Sequence, residues 1–169
     1  MKKLFVLALV MLSFCGLAAA QTVTFDNPDV QFKFKKCFVS GSKAFIDFTI
    51  TNETGSDFDA LLIRNQDSGR LSFTTIVYDD EGNSYRWRDV SNGSNYIAGI
   101  EIGGTVMGST DLTWCHLPNG VPVKMRITLS GFDEYAASLP LVKVSFRNMK
   151  TPEPYGMASM EARDLPVSR

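Results

Sequence analysis

The sequence is poor in the residues that most enzymes use for chemistry. It contains one histidine, His116, and three cysteines among 169 residues. It has neither the Gly-x-Ser-x-Gly motif of serine hydrolases nor the His-Glu-x-x-His motif of zinc proteases. Carboxylates cluster in turn-like stretches such as Asp79–Glu81, which favours solvated turns over a catalytic acid and base pair. The sequence therefore predicts a protein that is not an enzyme and has no cofactor or metal.

The sequence also lacks a basic block and a second long apolar run. Its 17 lysines and arginines are balanced by 18 acidic residues, and removing Lys2 and Lys3 leaves 15 basic residues against those 18. Nucleic-acid binding proteins usually carry a clustered basic surface, so nucleic acid is not an expected partner. After residue 20 no apolar run approaches the roughly 20 residues of a spanning helix, and we expect no transmembrane segment in the mature chain.

The longest apolar run, Leu4–Phe14, lies at the N-terminus. It follows two lysines and precedes the small residues Ala18–Ala20, an order that predicts a signal peptide over residues 1–20. The mature protein is then exported to the periplasm, the cell surface or the extracellular space. A retained anchor is one alternative, although the run is about half the length needed to span a bilayer. Lipidation of Cys15 is another, although the bulky Phe14 precedes it.

Removal of the signal peptide leaves an even pair of cysteines, Cys37 and Cys115. In an exported protein such a pair predicts a disulfide bond. The bond would close a loop of about 78 residues, worth about 4–5 kcal/mol in the chain-entropy model. The alternative is a metal site formed by both cysteines and His116, which supplies only three ligands, two of them adjacent in sequence.

Most of the mature chain alternates apolar and polar residues with the period of a β-strand. Ala44–Ile50 is the clearest example, and the polar, glycine-containing stretch Asn52–Asp57 predicts the turn that ends it. Lys35–Lys36 breaks the alternation and predicts a bulge. About eight or nine such strands predict an all-β, immunoglobulin-like antiparallel β-sandwich over residues 21–149. Residues 150–169 lack periodicity and are expected to be a C-terminal tail, ordered only if it docks.

Four stretches, taken in order, resemble a known family. They are "IDFTITNETGSDF", "YDDEGNSYR", "IEIGGTVMGSTDLTW" and "VKMRITLSGF". Together they are similar to the telokin-like, secreted immunoglobulin-like domains of bacteria, a group that includes mycobacterial secreted antigens. The resemblance rests on Asn52 after a strand and on an acidic-glycine hairpin that leads to Tyr85, while Gly103-Gly104 replaces the family's Pro-Gly turn. It implies a sandwich of generally unknown role, without transferable catalytic residues.

The segment Tyr85–Arg88 is the best candidate for a binding site. It contains Tyr85, Arg86, Trp87 and Arg88, and Asn92, Asn95 and Tyr96 follow. Exposed aromatic rings beside guanidinium groups stack on sugars or anchor protein interfaces. In the alternative interpretation the period of two buries Tyr85 and Trp87 and exposes the arginines. Trp114, next to Cys115, is expected to pack against the disulfide.

These observations favour a non-catalytic, exported binding protein. We expect a protein-interaction module of the bacterial cell envelope, because a stable sandwich with edge strands binds partners by strand addition. The second hypothesis is a carbohydrate-binding module that uses Tyr85, Trp87 and Tyr96.

Overall fold

The computed structural model describes residues 21–63, 74–87, 93–107, 112–150 and 156–169. Within these ranges the chain is all-β and forms no α-helix. In chain order the strands are β1 Thr22–Phe25, β2 Val30–Ser40, β3 Lys43–Asn52, β4 Phe58–Ile63, β5 Ile76–Tyr78, β6 Ser84–Trp87, β7 Tyr96–Ile102, β8 Thr105–Val106, β9 Leu112–Leu117, β10 Val123–Ser130, β11 Ser138–Arg147 and β12 Ala158–Pro166. The described residues therefore contain no helix that is long and apolar enough to cross a membrane.

The strands form one connected sheet that nearly closes on itself. The main order is β1-β12-β11-β5-β6-β7-β10-β3-β2, with β4 joining β11 to β9 and β8 paired with β7. The pairs are antiparallel except β6 with β7. At the β2 end, the amide of Val39 donates to the carbonyl of Ser168 at 3.1 Å, and the amide of Ser168 donates to the carbonyl of Cys37 at 2.9 Å. The chain after β12 thus ties the two ends of the sheet together.

The alternation in β3 produces the core as the sequence predicts. Ala44, Ile46, Phe48 and Ile50 are at most 1% exposed, whereas the intervening residues are partly accessible. Their partners on β10 follow the same phase, because a period of two sends alternate side chains to one face. The predicted bulge is also confirmed, since the register of β2 against β3 shifts between Phe34 and Lys36.

The prediction of an all-β protein is confirmed, but the predicted number of strands is too low. The described residues form 12 strands, compared with the eight or nine that the sequence predicts. The predicted signal peptide over residues 1–20 lies outside the described residues.

The segment predicted as a tail contributes a central strand instead. Residues 158–166 form β12, which lies between β1 and β11. Met157, Ala158, Met160, Ala162 and Leu165 are at most 2% exposed. The C-terminal segment is therefore part of the same core as residues 21–149.

Candidate functional site

The structure buries the two aromatic residues of the predicted binding segment. Tyr85 is 0% exposed and Trp87 is 3% exposed, while Arg86 between them faces solvent. Arg88 lies outside the described residues. Strand β6 thus follows the alternative interpretation, in which the two rings point into the core. An exposed aromatic platform made of Tyr85 and Trp87 is not formed.

Tyr85 belongs to a buried polar network. Its hydroxyl donates to Asp79 Oδ2 at 2.8 Å, and Asn83 donates to the same carboxylate from its backbone amide at 2.8 Å and its side chain at 3.0 Å. Burial raises the pKa of the Tyr85 phenol, and the bond to Asp79 raises it further. The ring stacks on Phe132 with centroids 5.7 Å apart. These contacts give Tyr85 a structural role, locking the hairpin between β5 and β6.

Arg86 and Tyr96 are brought together by the parallel pairing of β6 with β7, where they occupy directly opposed register positions. Arg86 lines an open groove of about 550 Å³ with Asn83, Ser84 and Asn95. The groove is polar, because its lining consists of glycines, amides, hydroxyls and one guanidinium group.

The structure corrects the disulfide prediction. Cys37 and Cys115 are both free thiols, each about 1% exposed. Cys37 lies on β2 opposite Ile46, whereas Cys115 lies on β9 opposite Ala60. Because β2 and β9 are not paired with each other in the described sheet, strand pairing does not bring their Cα atoms to the roughly 5.5 Å that a disulfide needs.

The alternative metal site is not formed either. Cys115 and His116 are neighbours on a strand and point to opposite faces, so the thiol is buried and the imidazole is exposed. The described part of the chain contains no group of three or more histidine, cysteine, aspartate or glutamate side chains placed to hold a metal ion.

We expect both thiols to resist alkylation in the folded protein and to react after denaturation without reductant. Burial, and for Cys37 also the charge of Asp47, raises the pKa of Cys37 to about 12 and that of Cys115 to about 11. The reactive thiolate is then scarce at neutral pH. Mass spectrometry of the mature protein, treated with iodoacetamide before and after unfolding, checks this. We expect both cysteines to be modified, and only after unfolding. If neither cysteine is modified even after unfolding, the two cysteines form a disulfide bond.

Strand β9 presents the most prominent exposed aromatic residue of a described strand. Trp114 is 60% exposed, and β9 pairs with β4 and with no other described strand. The expectation that Trp114 packs against a disulfide is therefore wrong, because Trp114 and Cys115 point to opposite faces. Strand β8 lies beside β9 and carries Val106, which is 61% exposed. We call β9 together with Val106 the β9 edge.

A histidine and two carboxylates accompany Trp114 on the outer face. His116 Nδ1 lies 2.8 Å from Asp59 Oδ1, and His116 Nε2 lies 3.9 Å from Asp57 Oδ2. All three side chains are more than half exposed. Both described partners of His116 are carboxylates, so this group orients the imidazole but does not form the nucleophile and base pair of a hydrolase. It adds hydrogen-bonding groups beside the exposed tryptophan.

Comparison with known proteins adds no information about this site. No protein-family model matches the chain, and no curated protein or solved structure is significantly similar to it. The similarity to telokin-like secreted domains stays a prediction from the sequence.

Proposed function

We propose that this chain is an exported, non-catalytic binding protein of the bacterial cell envelope, and that it binds a protein partner at the β9 edge. The immunoglobulin-like family assignment is part of the same proposal. The observation that carries it is the 60% exposure of Trp114 on a strand whose described pairing is with β4 alone. Export is supported by the N-terminal sequence, and the absence of catalytic motifs supports a binding role.

The physical basis is strand addition at a sheet edge. An edge strand presents backbone amides and carbonyls that a partner strand can pair with, and alternate side chains provide specificity. Tryptophan is enriched among residues that dominate binding energy, because its large ring is desolvated on contact. His116 lies two residues from Trp114 on the same face of β9, with Asp59 opposite it on β4, and both provide polar contacts at the rim.

Carbohydrate binding is the second candidate, and it now rests on the polar groove rather than on an aromatic pair. Arg86 and Asn95 line this groove, and Tyr96 lies opposite Arg86. Amide and guanidinium groups hydrogen-bond sugar hydroxyls. Oligosaccharide binding that is lost in Arg86→Ala and kept in Trp114→Ala would favour this function over the first.

Replacing Trp114 with alanine is expected to weaken partner binding by about 30-fold or more, since truncated tryptophan anchors typically cost at least about 2 kcal/mol. The tagged, exported protein is crosslinked in its native cell envelope and the recovered partner is quantified. Trp114→Lys should have at least as large an effect, because edge lysines oppose strand addition.

Tyr135→Ala is the matched control, because Tyr135 is a 75% exposed aromatic residue outside the β9 edge. Trp114→Ala and Tyr135→Ala should each keep the wild-type free energy of unfolding within about 0.5 kcal/mol. Equal partner recovery with Trp114→Ala, Trp114→Lys and Tyr135→Ala would exclude the β9 edge as the binding surface.

A further inference from the structure

A second surface, unrelated to the β9 edge, carries an excess of positive charge. It is the part of the outer face of strands β2, β3, β10 and β7 that comprises Lys33, Lys36, Asp47, Lys124, Arg126 and Glu101. We call it the lysine face. Four cations and two carboxylates leave two unmatched positive charges, although the whole chain has a net charge of −1.

The strand register arranges these residues in two rows across the sheet. Lys33, Thr49 and Lys124 occupy one row. The next row contains, in spatial order, Lys36, Asp47, Arg126 and Glu101. Charges alternate in the second row, whereas the first row has only lysines flanking a threonine.

The carboxylates in the second row are matched by Arg126. Its Nε and Nη2 donate to Asp47 Oδ1 and Oδ2 at 2.7 and 2.8 Å, a two-pronged ion pair. The hydrogen bond from Arg126 lowers the pKa of Asp47 and keeps it ionised. Glu101 lies opposite Arg126 in the register and interacts with its charge. Lys33, Lys36 and Lys124 form no ion pair with the described residues.

The bulge in β2 is what brings Lys36 onto this face. The shift between Phe34 and Lys36 inserts one extra residue, so Lys33 and Lys36 both point outward although they are three apart in sequence. The ammonium group of Lys36 lies 4.6 Å from the centroid of the Phe38 ring. This cation–π contact restrains the side chain before any ligand arrives.

Lys36 and Lys124 line opposite sides of an open groove of about 500 Å³. Lys33 and Lys36 lie opposite Thr49 and Asp47, which are two residues and therefore about 6.7 Å apart along β3. Two strand spacings separate β2 from β10 by about 9.5 Å. An extended peptide presents alternate side chains on one face with the same spacing of about 6.7 Å. Carboxylates at alternate positions of such a peptide therefore match Lys33 and Lys36, with Lys124 across the groove.

We propose that the lysine face binds an acidic, extended segment of a partner protein whose acidic residues occupy alternate positions. The cations are amines rather than free guanidinium groups, because Arg126 is committed to Asp47. Point charges of this kind pair with carboxylates without a two-pronged geometry. The inference does not depend on Trp114 or on the β9 edge.

Fluorescence anisotropy with two labelled peptides of equal length and composition tests the proposal. The (Glu-Thr)n peptide places every carboxylate on one face when extended, whereas (Glu-Glu-Thr-Thr)n divides them between two faces. The mature full-length protein is titrated at an ionic strength of about 0.01 M, where the Debye length is about 30 Å. The alternating peptide is expected to bind more tightly, and binding should weaken as salt is added.

Charge reversal locates the site. Lys36→Glu and Lys124→Glu should each weaken binding of the alternating peptide by on the order of tenfold, because the new glutamate repels the peptide carboxylates that the lysine attracts. Lys43→Glu is the control, since Lys43 is exposed on β3 about 13 Å from Asp47 and carries the same charge change. Lys36→Gln and Lys124→Gln repeat the test without adding a repulsive charge, and thermal unfolding confirms that each variant is folded.

Three results would overturn the proposal. The first is equal binding of the two peptides or no binding of either. The second is a loss with Lys43→Glu as large as that with Lys124→Glu. The third is binding of a sulfated polysaccharide such as heparin by the lysine face when neither peptide binds, which would assign the face to an anionic glycan.

Discussion

A chain that ends at Lys150 is expected to lose cooperative unfolding. The deletion removes β12, the described sheet partner of β1 and a partner of β11. It also removes the two backbone hydrogen bonds that join Ser168 to Cys37 and Val39 at the other end of the sheet. Circular dichroism and a urea titration followed by tryptophan fluorescence should show no folded baseline.

The expected size of this effect follows from the buried side chains of the deleted segment. Met157, Met160 and Leu165 are at most 2% exposed. Burial of each such side chain contributes about 1.5–3 kcal/mol. Their combined loss is comparable to the about 5–15 kcal/mol that stabilises a typical domain. The deletion also leaves β1 without its described sheet partner and uncovers one side of β11.

Point variants separate this explanation from a general effect of shortening. Met160→Ala should cost about 2–5 kcal/mol, since it leaves a cavity in the core. Arg163→Ala, at an exposed position of the same strand, should change the free energy of unfolding by no more than about 0.5 kcal/mol. A truncated chain that unfolds cooperatively at the wild-type midpoint would show that β12 does not contribute to the core.

Asn52→Ala is expected to destabilise the protein by about 2–4 kcal/mol, because it removes one buried and three partly buried hydrogen bonds. Asn52 is 1% exposed, and its side-chain amide donates to the carbonyls of Ser56 and Leu117 at 2.9 and 2.8 Å. Its side-chain oxygen accepts from the amide and hydroxyl of Thr54 at 3.0 and 2.8 Å. One side chain thus joins the end of β3, the following turn and the end of β9.

Denaturant unfolding of Asn52→Ala measures this effect, and Glu53→Ala provides the control. Glu53 is the next residue, but its side chain is exposed and bonds only to the exposed Gln31 in the described residues. We expect a change within about 0.5 kcal/mol for Glu53→Ala. If both variants unfold at the same denaturant concentration, the network around Asn52 does not stabilise the turn. If Asn52→Ala also lowers partner binding at β9, the network positions the proposed edge.

The alternation of apolar and polar residues was sufficient to predict the strands that have one buried face and one exposed face. The alternation in β3 assigns Ile46 and Phe48 to the core, and the doubled lysine before Cys37 locates the bulge. The same alternation supports the alternative interpretation of β6, in which Tyr85 and Trp87 are buried. These predictions succeed because a pleated strand sends successive side chains to opposite sides, a property of the backbone rather than of its neighbours.

Strand β12 shows where local pattern fails. Its sequence ASMEARDLP contains no β-branched residue, and alanine, methionine, glutamate and arginine are not typical of strands. Pairing on both sides, with β1 and β11, imposes the extended conformation and buries Met160 and Leu165. The contacts that decide the conformation are distant in sequence, since Thr22 pairs with Arg163.

The sequence by itself determined that this protein is built of strands and that Ala44, Ile46, Phe48 and Ile50 of β3 face the core. Only the tertiary structure decided that β9 pairs with β4 alone among the described strands and that Cys37 and Cys115 are free thiols. It also decided that lysines from β2 and β10 converge on one groove. The alternation of side chains between the two faces of a strand is a local property of the backbone. Which face is covered, and which residues of different strands lie close together, depend on which strands pair. Strand pairing in turn depends on how the whole core packs.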